Sequence, residues 1–222
     1  MSIVERVEPR RSRGMIFSLE GIDASGKKTQ SMLLHKWFQS NGIPTEYDSF
    51  PDYSTAIGLE IRAFLSGSKI YPIEVRHMLF SLNRLEHKER IEKWLDEDKI
   101  IVINRYCNSN LAYGSASGLS IEWLKSLESQ MPQADYVFYL KAGPELSKKR
   151  KSDRDKFELD LRFLERVASL YDALAEDRNW FTIDADNSVE TIHYEISRIA
   201  QKLLAQGIGF KESPINMNAR EE

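Results

Sequence analysis

Short apolar runs alternate along this chain with longer amphipathic stretches. The apolar runs predict five β-strands, at residues 15–20, 45–50, 99–104, 135–140 and 179–184. Between them, apolar residues recur three or four positions apart, which is the spacing of one buried helix face. Nearly continuous apolar strands that alternate with helices indicate a parallel sheet covered on both sides. We therefore expect an α/β protein, a three-layer α/β/α domain with a five-stranded parallel sheet.

The amphipathic stretches predict five helices. One follows the first strand, at residues 30–38, and the others cover residues 72–96, 120–131, 157–175 and 188–204. Ser120 is a favourable helix cap, and Glu122 places a negative charge in the first turn of that helix. Each helix has an apolar stripe that can pack on the sheet.

A glycine-rich loop follows the first strand directly. Its residues are Gly21, Ile22, Asp23, Ala24, Ser25, Gly26, Lys27, Lys28 and Thr29. They match the phosphate-binding pattern G-x-x-x-x-G-K-[ST], except that Lys28 stands at the Ser/Thr position. The glycines allow a tight bend, so that successive N–H groups and the helix N-terminus can cradle an anion. Because the loop lies between an apolar strand and a helix, we favour a P-loop NTPase fold with an ATP site over a glycine turn of no function.

Composition and charge exclude several classes of protein. The 222 residues carry a net charge of −3, which gives no reason to expect a nucleic-acid partner. The single cysteine, Cys107, excludes an intramolecular disulfide and suits the cytoplasm, while no apolar run approaches the length of a membrane span. We expect a cytoplasmic domain at residues 14–206 with loosely ordered tails at residues 1–13 and 207–222.

Three further motifs lie at strand ends or on a predicted helix. The motifs are Phe50-Pro51-Asp52-Tyr53-Ser54-Thr55-Ala56-Ile57-Gly58, then Phe80-Ser81-Leu82-Asn83-Arg84, and Asn104-Arg105-Tyr106-Cys107-Asn108-Ser109-Asn110-Leu111-Ala112-Tyr113. Arg105 ends an apolar strand, so its charge must emerge at the carboxyl edge of the sheet, where the P-loop also opens. Phe80 alone is more typical of a core position, although Arg84 one turn later on the same face favours a site.

In this order and spacing the motifs resemble the thymidylate kinase family over residues 14–206. The resemblance extends through a basic segment, Lys148 to Arg154, and the stretch Asp155-Lys156-Phe157-Glu158. It implies an enzyme that moves the γ-phosphoryl group of ATP to dTMP, giving dTDP for dTTP synthesis. It also implies Mg²⁺ bound as Mg·ATP, a short basic lid at about residues 147–157, and a homodimer.

The resemblance also implies which residues bind the acceptor nucleotide. Phe80 would stack on the thymine ring, Arg84 would reach a thymine carbonyl oxygen, and Asn110 would bond the base edge. Asp23 would accept a hydrogen bond from the 3′-hydroxyl, and Tyr113 would disfavour a ribose. The remaining implied acceptor residues are Phe50, Tyr53 and Arg105.

Four basic residues are implied to act on the transferred phosphoryl group. Lys27 would contact the β- and γ-phosphates, and Arg105 would clamp oxygens of donor and acceptor. Some family members place a further arginine in the P-loop and others place it in the lid. Because Ala24 occupies the loop position here, Arg150 and Arg154 of the basic lid are the candidates.

The chain departs from the family pattern at two metal-related positions and at one other. Lys28 replaces the magnesium-binding Ser/Thr, and Asn104 replaces the Asp of the D-R-Y motif. Tyr53 stands where many members have an arginine. Either Lys28 points away and Mg·ATP binds as usual, or its ammonium group partly replaces the charge of the metal. We assign no residue as a ligand of Mg²⁺ and expect ATP oxygens and water to hold most of its coordination shell, with Asn104 nearby.

These departures leave two alternative functions open. The first is a kinase of the same fold that accepts another nucleotide or a nucleoside, because one methyl group on the base changes binding little. The second is a nucleotide-binding homologue whose catalysis is weakened by Lys28 and Asn104. We favour an active kinase, since the acceptor motifs are retained.

Overall fold

The computed structural model describes residues 14–143 and 161–207. Its five strands are β1 Met15–Glu20, β2 Thr45–Ser49, β3 Ile100–Asn104, β4 Tyr136–Lys141 and β5 Trp180–Asp184. Neighbouring strands all run parallel, in the order β2-β3-β1-β4-β5. The predicted sheet is confirmed, and each predicted strand lies within one residue of its observed bounds.

Eight helices occur in the described ranges. They are α1 Lys27–Ser40, α2 Ala56–Leu65, α3 Ile73–Leu85, α4 Lys88–Asp96, α5 Cys107–Ala116, α6 Ile121–Glu128, α7 Leu161–Leu174 and α8 Val189–Gly207. Ser120 caps α6 as predicted, because its Oγ accepts from the Trp123 N–H at 3.3 Å. None of these helices has the length and apolar character that crossing a membrane requires.

The sheet is covered on both faces because side chains alternate along each strand. On β1, Phe17 and Leu19 belong to one buried cluster, to which α1 and α8 also contribute. Ile16 points the opposite way and packs in a second cluster with Ile91 and Leu95 of α4. This alternation produces the predicted three layers and leaves the carboxyl ends of the strands open for a site.

Two features of the helices differ from the prediction. The amphipathic stretch at residues 72–96 is two helices, because the chain breaks at Glu86 and His87. The His87 ring is bound there between Asp48 of β2 and Asp52, with nitrogen–oxygen distances of 2.8 and 3.2 Å. Helices α2 and α5 were not predicted. Buried residues of α5 lie on several sides, so it lacks an apolar stripe that would indicate a helix.

Several predicted segments lie outside the described residues. They are the tail at residues 1–13, the basic lid at about residues 147–157, and residues 208–222 of the second tail. Of the predicted C-terminal tail, Gly207 is described and is the last residue of α8. The start of the predicted helix at residues 157–175 also lies outside, and α7 begins at Leu161.

Candidate active site

The P-loop leaves the carboxyl end of β1, the central strand, and curls into the start of α1. Gly21 has φ +139°, and a Cβ at this position would lie 2.6 Å from the Leu140 carbonyl oxygen, so no other residue fits. Gly26, with φ +98°, precedes the first turn of α1. The Lys27 ammonium group donates to the Ile22 carbonyl and lies 3.2 Å from the Ser25 hydroxyl. The loop therefore directs the N-terminus of α1 towards an open groove.

The groove is lined by the P-loop and by residues that end other strands. Asn104 ends β3, and its amide nitrogen donates to the Ser49 hydroxyl at 2.9 Å. Its Oδ1 is buried and has no hydrogen-bond partner among the described residues. Lys28 and Thr29 also line the groove and are exposed.

This donor set fits a magnesium ion that is held mainly by nucleotide oxygens and water. In residues 14–143 and 161–207 no cluster of three or more His, Cys, Asp or Glu side chains has the arrangement of a metal site. The unpartnered Asn104 Oδ1 is a neutral acceptor that can bond a water of a hydrated ion, and Mg²⁺ keeps several waters when it binds proteins. Asn104 Oδ1 could therefore accept a hydrogen bond from a water of Mg·ATP at the groove.

A second cavity adjoins the groove, between the ends of β1 and β3 and helices α2, α3 and α5. The structure brings together around it every residue that the family resemblance implies for the acceptor: Asp23, Phe50, Tyr53, Phe80, Arg84, Arg105, Asn110 and Tyr113. Asp23 and Arg105 line both the cavity and the groove. Lys27 lies at the groove, whereas Arg150 and Arg154 lie outside the described residues.

Asp23 forms the boundary between the two spaces with two partners from the β3–α5 segment. The Arg105 guanidinium donates to one of its carboxylate oxygens, and the Tyr113 hydroxyl donates to the other at 2.9 Å. Although burial opposes the charge on Arg105, Asp23 raises the pKa of its guanidinium. Burial and Asp23 likewise raise the pKa of the Tyr113 hydroxyl. Arg105 is thus a fixed cation and Tyr113 a neutral donor where phosphate and sugar would meet.

Glu20 holds the Arg105 segment in place from the end of β1. Arg105 has φ +60°, a left-handed conformation that is rare for a residue with a Cβ. The next N–H, of Tyr106, donates to Glu20 at 2.8 Å, and the Ser109 hydroxyl donates to the same carboxylate at 2.6 Å. Burial raises the pKa of Glu20, and these hydrogen bonds oppose that rise. The contacts maintain the strained turn that points Arg105 at Asp23.

Glu128, which the sequence analysis missed, organises the opposite end of the cavity. It is 2% exposed and accepts from Arg84, whose Nε lies at 2.9 Å and whose Nη2 forms a second bond. The Ser81 hydroxyl and the Asn110 amide also donate to it, at 2.6 and 2.7 Å. Burial favours the neutral acid, but the pair with Arg84 lowers the pKa of Glu128. A buried carboxylate thus holds Arg84 and Asn110 in fixed orientations.

His77 and Arg76 are two further cavity residues that the sequence analysis did not select. His77 lies three residues before Phe80 and seven before Arg84, so all three share one face of α3. That spacing was a usable signal for His77. Glu128 had none, because it lies 44 residues from Arg84 along the chain.

Comparison with known proteins agrees with the motifs. The family model described as thymidylate kinase matches residues 19–196. The chain is 35% identical over 189 residues to a thymidylate kinase of Arabidopsis thaliana, covering 85% of this chain and 72% of that protein. It is 30% identical over 193 residues to the thymidylate kinase of Homo sapiens, covering 85% of this chain and 91% of that protein. The structure of a Candida albicans thymidylate kinase superposes with a TM-score of 0.73 at 24% identity, over 86% of this chain and 92% of that one. The family prediction is confirmed, and the chain belongs to the thymidylate kinase family.

Proposed function

We propose that this chain phosphorylates dTMP to dTDP with ATP as the phosphoryl donor. The observation that carries the proposal is the shared boundary of groove and cavity, at Asp23 and Arg105. A nucleotide on the P-loop and a monophosphate in the cavity would meet there. No observation favours another acceptor or a non-catalytic homologue.

The residues at this boundary support phosphoryl transfer by positioning and charge neutralisation. Acceptor phosphate oxygens are already anionic, so the reaction needs no general base. Arg105 offers a planar fork of donors that can bind two oxygens at once. Lys27 and the backbone N–H groups of the P-loop would hold the donor phosphates, and Mg²⁺, bound with ATP, supplies further neutralisation of charge. Arg150 and Arg154 remain our proposed lid arginines.

The experiment that tests this function measures ADP release with Mg·ATP and a panel of acceptors. The panel contains dTMP, dUMP, dCMP, dGMP and thymidine. We expect the highest kcat/KM with dTMP. Turnover of thymidine or of another monophosphate in preference to dTMP would replace the proposed acceptor, and ATP binding without turnover would indicate a non-catalytic protein.

We also propose that the chain is a cytoplasmic homodimer. Met78 and Leu82 of α3 are 40% and 45% exposed, lie one turn apart, and point away from the cavity face. Such an apolar strip suits a second copy of the chain. Light scattering of the wild type and of Leu82→Lys tests the assembly: we expect a dimer that the substitution dissociates, whereas a wild-type monomer would overturn it. The single buried thiol of Cys107 suits a reducing compartment, which microscopy of a tagged chain would test.

A further inference from the structure

His77 combines burial with a position on the wall of the acceptor cavity. It is 3% exposed, and its ring centroid lies 6.0 Å from that of Phe80 at an interplanar angle of 55°. Because His77 and Phe80 line the same cavity, a base that stacks on Phe80 would lie within reach of the His77 ring. The question is which hydrogen-bonding group His77 presents there.

The orientation of the Asn110 amide follows from its neighbours. Its nitrogen faces three acceptors: the Glu128 carboxylate at 2.7 Å, the Ser81 hydroxyl at 3.0 Å and the His77 carbonyl at 3.2 Å. The carboxylate is ionised by its pair with Arg84, so it accepts and cannot donate. The amide nitrogen must therefore face Glu128, and Oδ1 must face the His77 ring.

The amide in turn sets the tautomer of His77. The Asn110 Oδ1 lies 2.6 Å from the imidazole Nδ1, and an amide oxygen can only accept. Nδ1 therefore carries the hydrogen. Burial lowers the pKa of His77; the hydrogen bond to Asn110 and the charge of Glu128 oppose this shift, and the charges of Arg84 and Arg76 add to it. The net shift is downward, so the ring is neutral at pH 7. Nε2 is then a lone-pair acceptor, and it has no hydrogen-bond partner in the described part of the chain.

Arg84 supplies the complementary donor on the same helix face. Its Nε and Nη2 are taken by Glu128, whereas Nη1 makes no hydrogen bond within the described ranges. His77 and Arg84 both line the cavity, three residues before Phe80 and four after it, so an acceptor and a donor are available on the face of α3 that carries Phe80. Thymine and uracil present the matching edge, an N3–H donor beside the O4 acceptor. Cytosine presents the reverse, an N3 acceptor beside an amino donor.

We propose that Nε2 of His77 accepts a hydrogen bond from N3–H of the acceptor base and thereby selects thymine and uracil over cytosine. This inference rests on the proposed function. Asn110 is then a positioning residue that fixes the His77 ring, rather than the residue that contacts the base edge. His77 is a specificity-determining residue, which the family resemblance did not imply.

Two substitutions of His77 separate the contact from the packing. His77→Asn keeps an N–H close to the position of Nδ1, so the bond to Asn110 survives while the Nε2 acceptor is lost. His77→Gln can place its amide oxygen close to the position of Nε2. We expect kcat/KM for dTMP to fall about tenfold in His77→Asn and by less in His77→Gln, as for one hydrogen bond in a buried site. His35→Asn, on α1 outside the cavity, is the matched control.

A modified acceptor makes the test specific to the N3–H contact. Wild-type enzyme should have a lower kcat/KM with dTMP methylated at N3, and with dCMP, than with dTMP. We expect both of these kcat/KM ratios, the discrimination penalties, to shrink about tenfold in His77→Asn. If the wild type phosphorylates dTMP and a folded His77→Asn shows unchanged penalties, the proposed role of His77 is wrong and the proposed function stands. If the wild type binds dTMP without phosphorylating it, the proposed function fails, and the same penalties measured as Kd values by calorimetry still decide the role of His77.

Nuclear magnetic resonance of the wild-type protein provides a readout that needs no variant. The chain has four histidines, so their ring ¹⁵N signals can be assigned individually. We expect His77 to show the Nδ1–H tautomer and its Nε2 signal to shift when dTMP is added. An Nε2–H tautomer, or an Nε2 signal that dTMP leaves unchanged, would contradict the proposal.

Discussion

The acceptor cavity and the nucleotide groove differ in how their polar groups are satisfied. In the cavity the charged groups are already paired inside the protein, as Arg84 with Glu128 and Arg105 with Asp23. At the groove, Asn104 Oδ1 is buried without a partner among the described residues, and Lys28 extends into solvent. The network of the cavity fixes the directions of the groups that it leaves for a ligand, His77 Nε2 and Arg84 Nη1, whereas Lys28 at the groove is exposed.

This difference indicates how the two substrates are recognised. A base that enters the cavity meets donors and acceptors whose directions are fixed, which reduces the ordering cost of binding and favours discrimination between bases. Phosphates that enter the groove would meet backbone N–H groups of the P-loop and the Lys27 ammonium group, which suit any nucleoside triphosphate. We therefore expect substitutions in the cavity to change acceptor specificity, and substitutions at the groove to change the use of metal and ATP.

Loss of Arg105 should have the largest effect, because it is the cation shared by both regions. We expect Arg105→Ala to lower kcat by about 10³ or more, as for other arginines that stabilise a transferred phosphoryl group. Arg198→Ala, exposed on α8, is the control for losing one positive charge. A kcat for Arg105→Ala within tenfold of the wild-type value would show that Arg105 is not a catalytic residue.

Loss of Glu128 should break the preorganisation of the cavity. Glu128→Gln leaves the Arg84 guanidinium buried without its counter-ion, and we expect unfolding free energy to fall by about 3 kcal/mol. The control is Glu122→Gln, which removes an exposed carboxylate from the same helix. Urea unfolding measures both, and equal stabilities of the two variants would contradict the role of the pair.

The same pair of variants yields a dependence on pH. The pKa of folded Glu128 lies below its ordinary value of 4.5, so the ionised carboxylate stabilises the fold above that pH. Its contribution is lost as the pH falls below 4.5 through the folded pKa. The stability gap between wild type and Glu128→Gln should therefore be widest at neutral pH and shrink in acid. A gap that stays constant would show that the charge of Glu128 does not matter.

Changes at the groove should alter the magnesium requirement and leave acceptor binding intact. Asn104→Asp adds a negative charge beside the groove. We expect the Mg²⁺ concentration for half-maximal activity to fall roughly tenfold, which is the size of the change in metal affinity when a residue that supports a metal site is substituted. Lys28→Ser should have a smaller effect, because the Lys28 side chain is exposed. Gln201→Glu, at an exposed position of α8, is the control for one added negative charge. Unchanged Mg²⁺ dependence in both groove variants would show that neither position acts on the ion.

The smallest effect should come from the hydroxyl that joins Tyr113 to Asp23. Tyr113→Phe removes the 2.9 Å hydrogen bond that orients Asp23 in the cavity, and we expect the Kd for dTMP to rise no more than about fivefold, the scale of one hydrogen bond of about 1 kcal/mol. Calorimetry should show this loss and no change in the Kd for ATP, with the exposed Tyr194→Phe as control. An equal rise in the Kd for ATP would show that the Tyr113–Asp23 hydrogen bond affects the groove as much as the cavity.

The sequence predicted the sheet and the P-loop because both depend on patterns within a few neighbouring residues. It missed α5, whose buried residues show no single stripe, and it treated the stretch broken at His87 as one helix. That break depends on Asp48, which lies 39 residues away along the chain. The acceptor residues were predictable through the family motifs. Their hydrogen-bond partners were not, because Glu128 reaches them only through the packing of α6 against α3 and α5.

The most direct test of the preorganised cavity is titration of dTMP into the protein by calorimetry, with neither nucleotide triphosphate nor Mg²⁺ present. We expect one dTMP to bind per chain, with a Kd that Mg²⁺ leaves unchanged and that Glu128→Gln weakens. Binding of dTMP only after ATP and Mg²⁺ are added would contradict a cavity that is complete before the groove is filled.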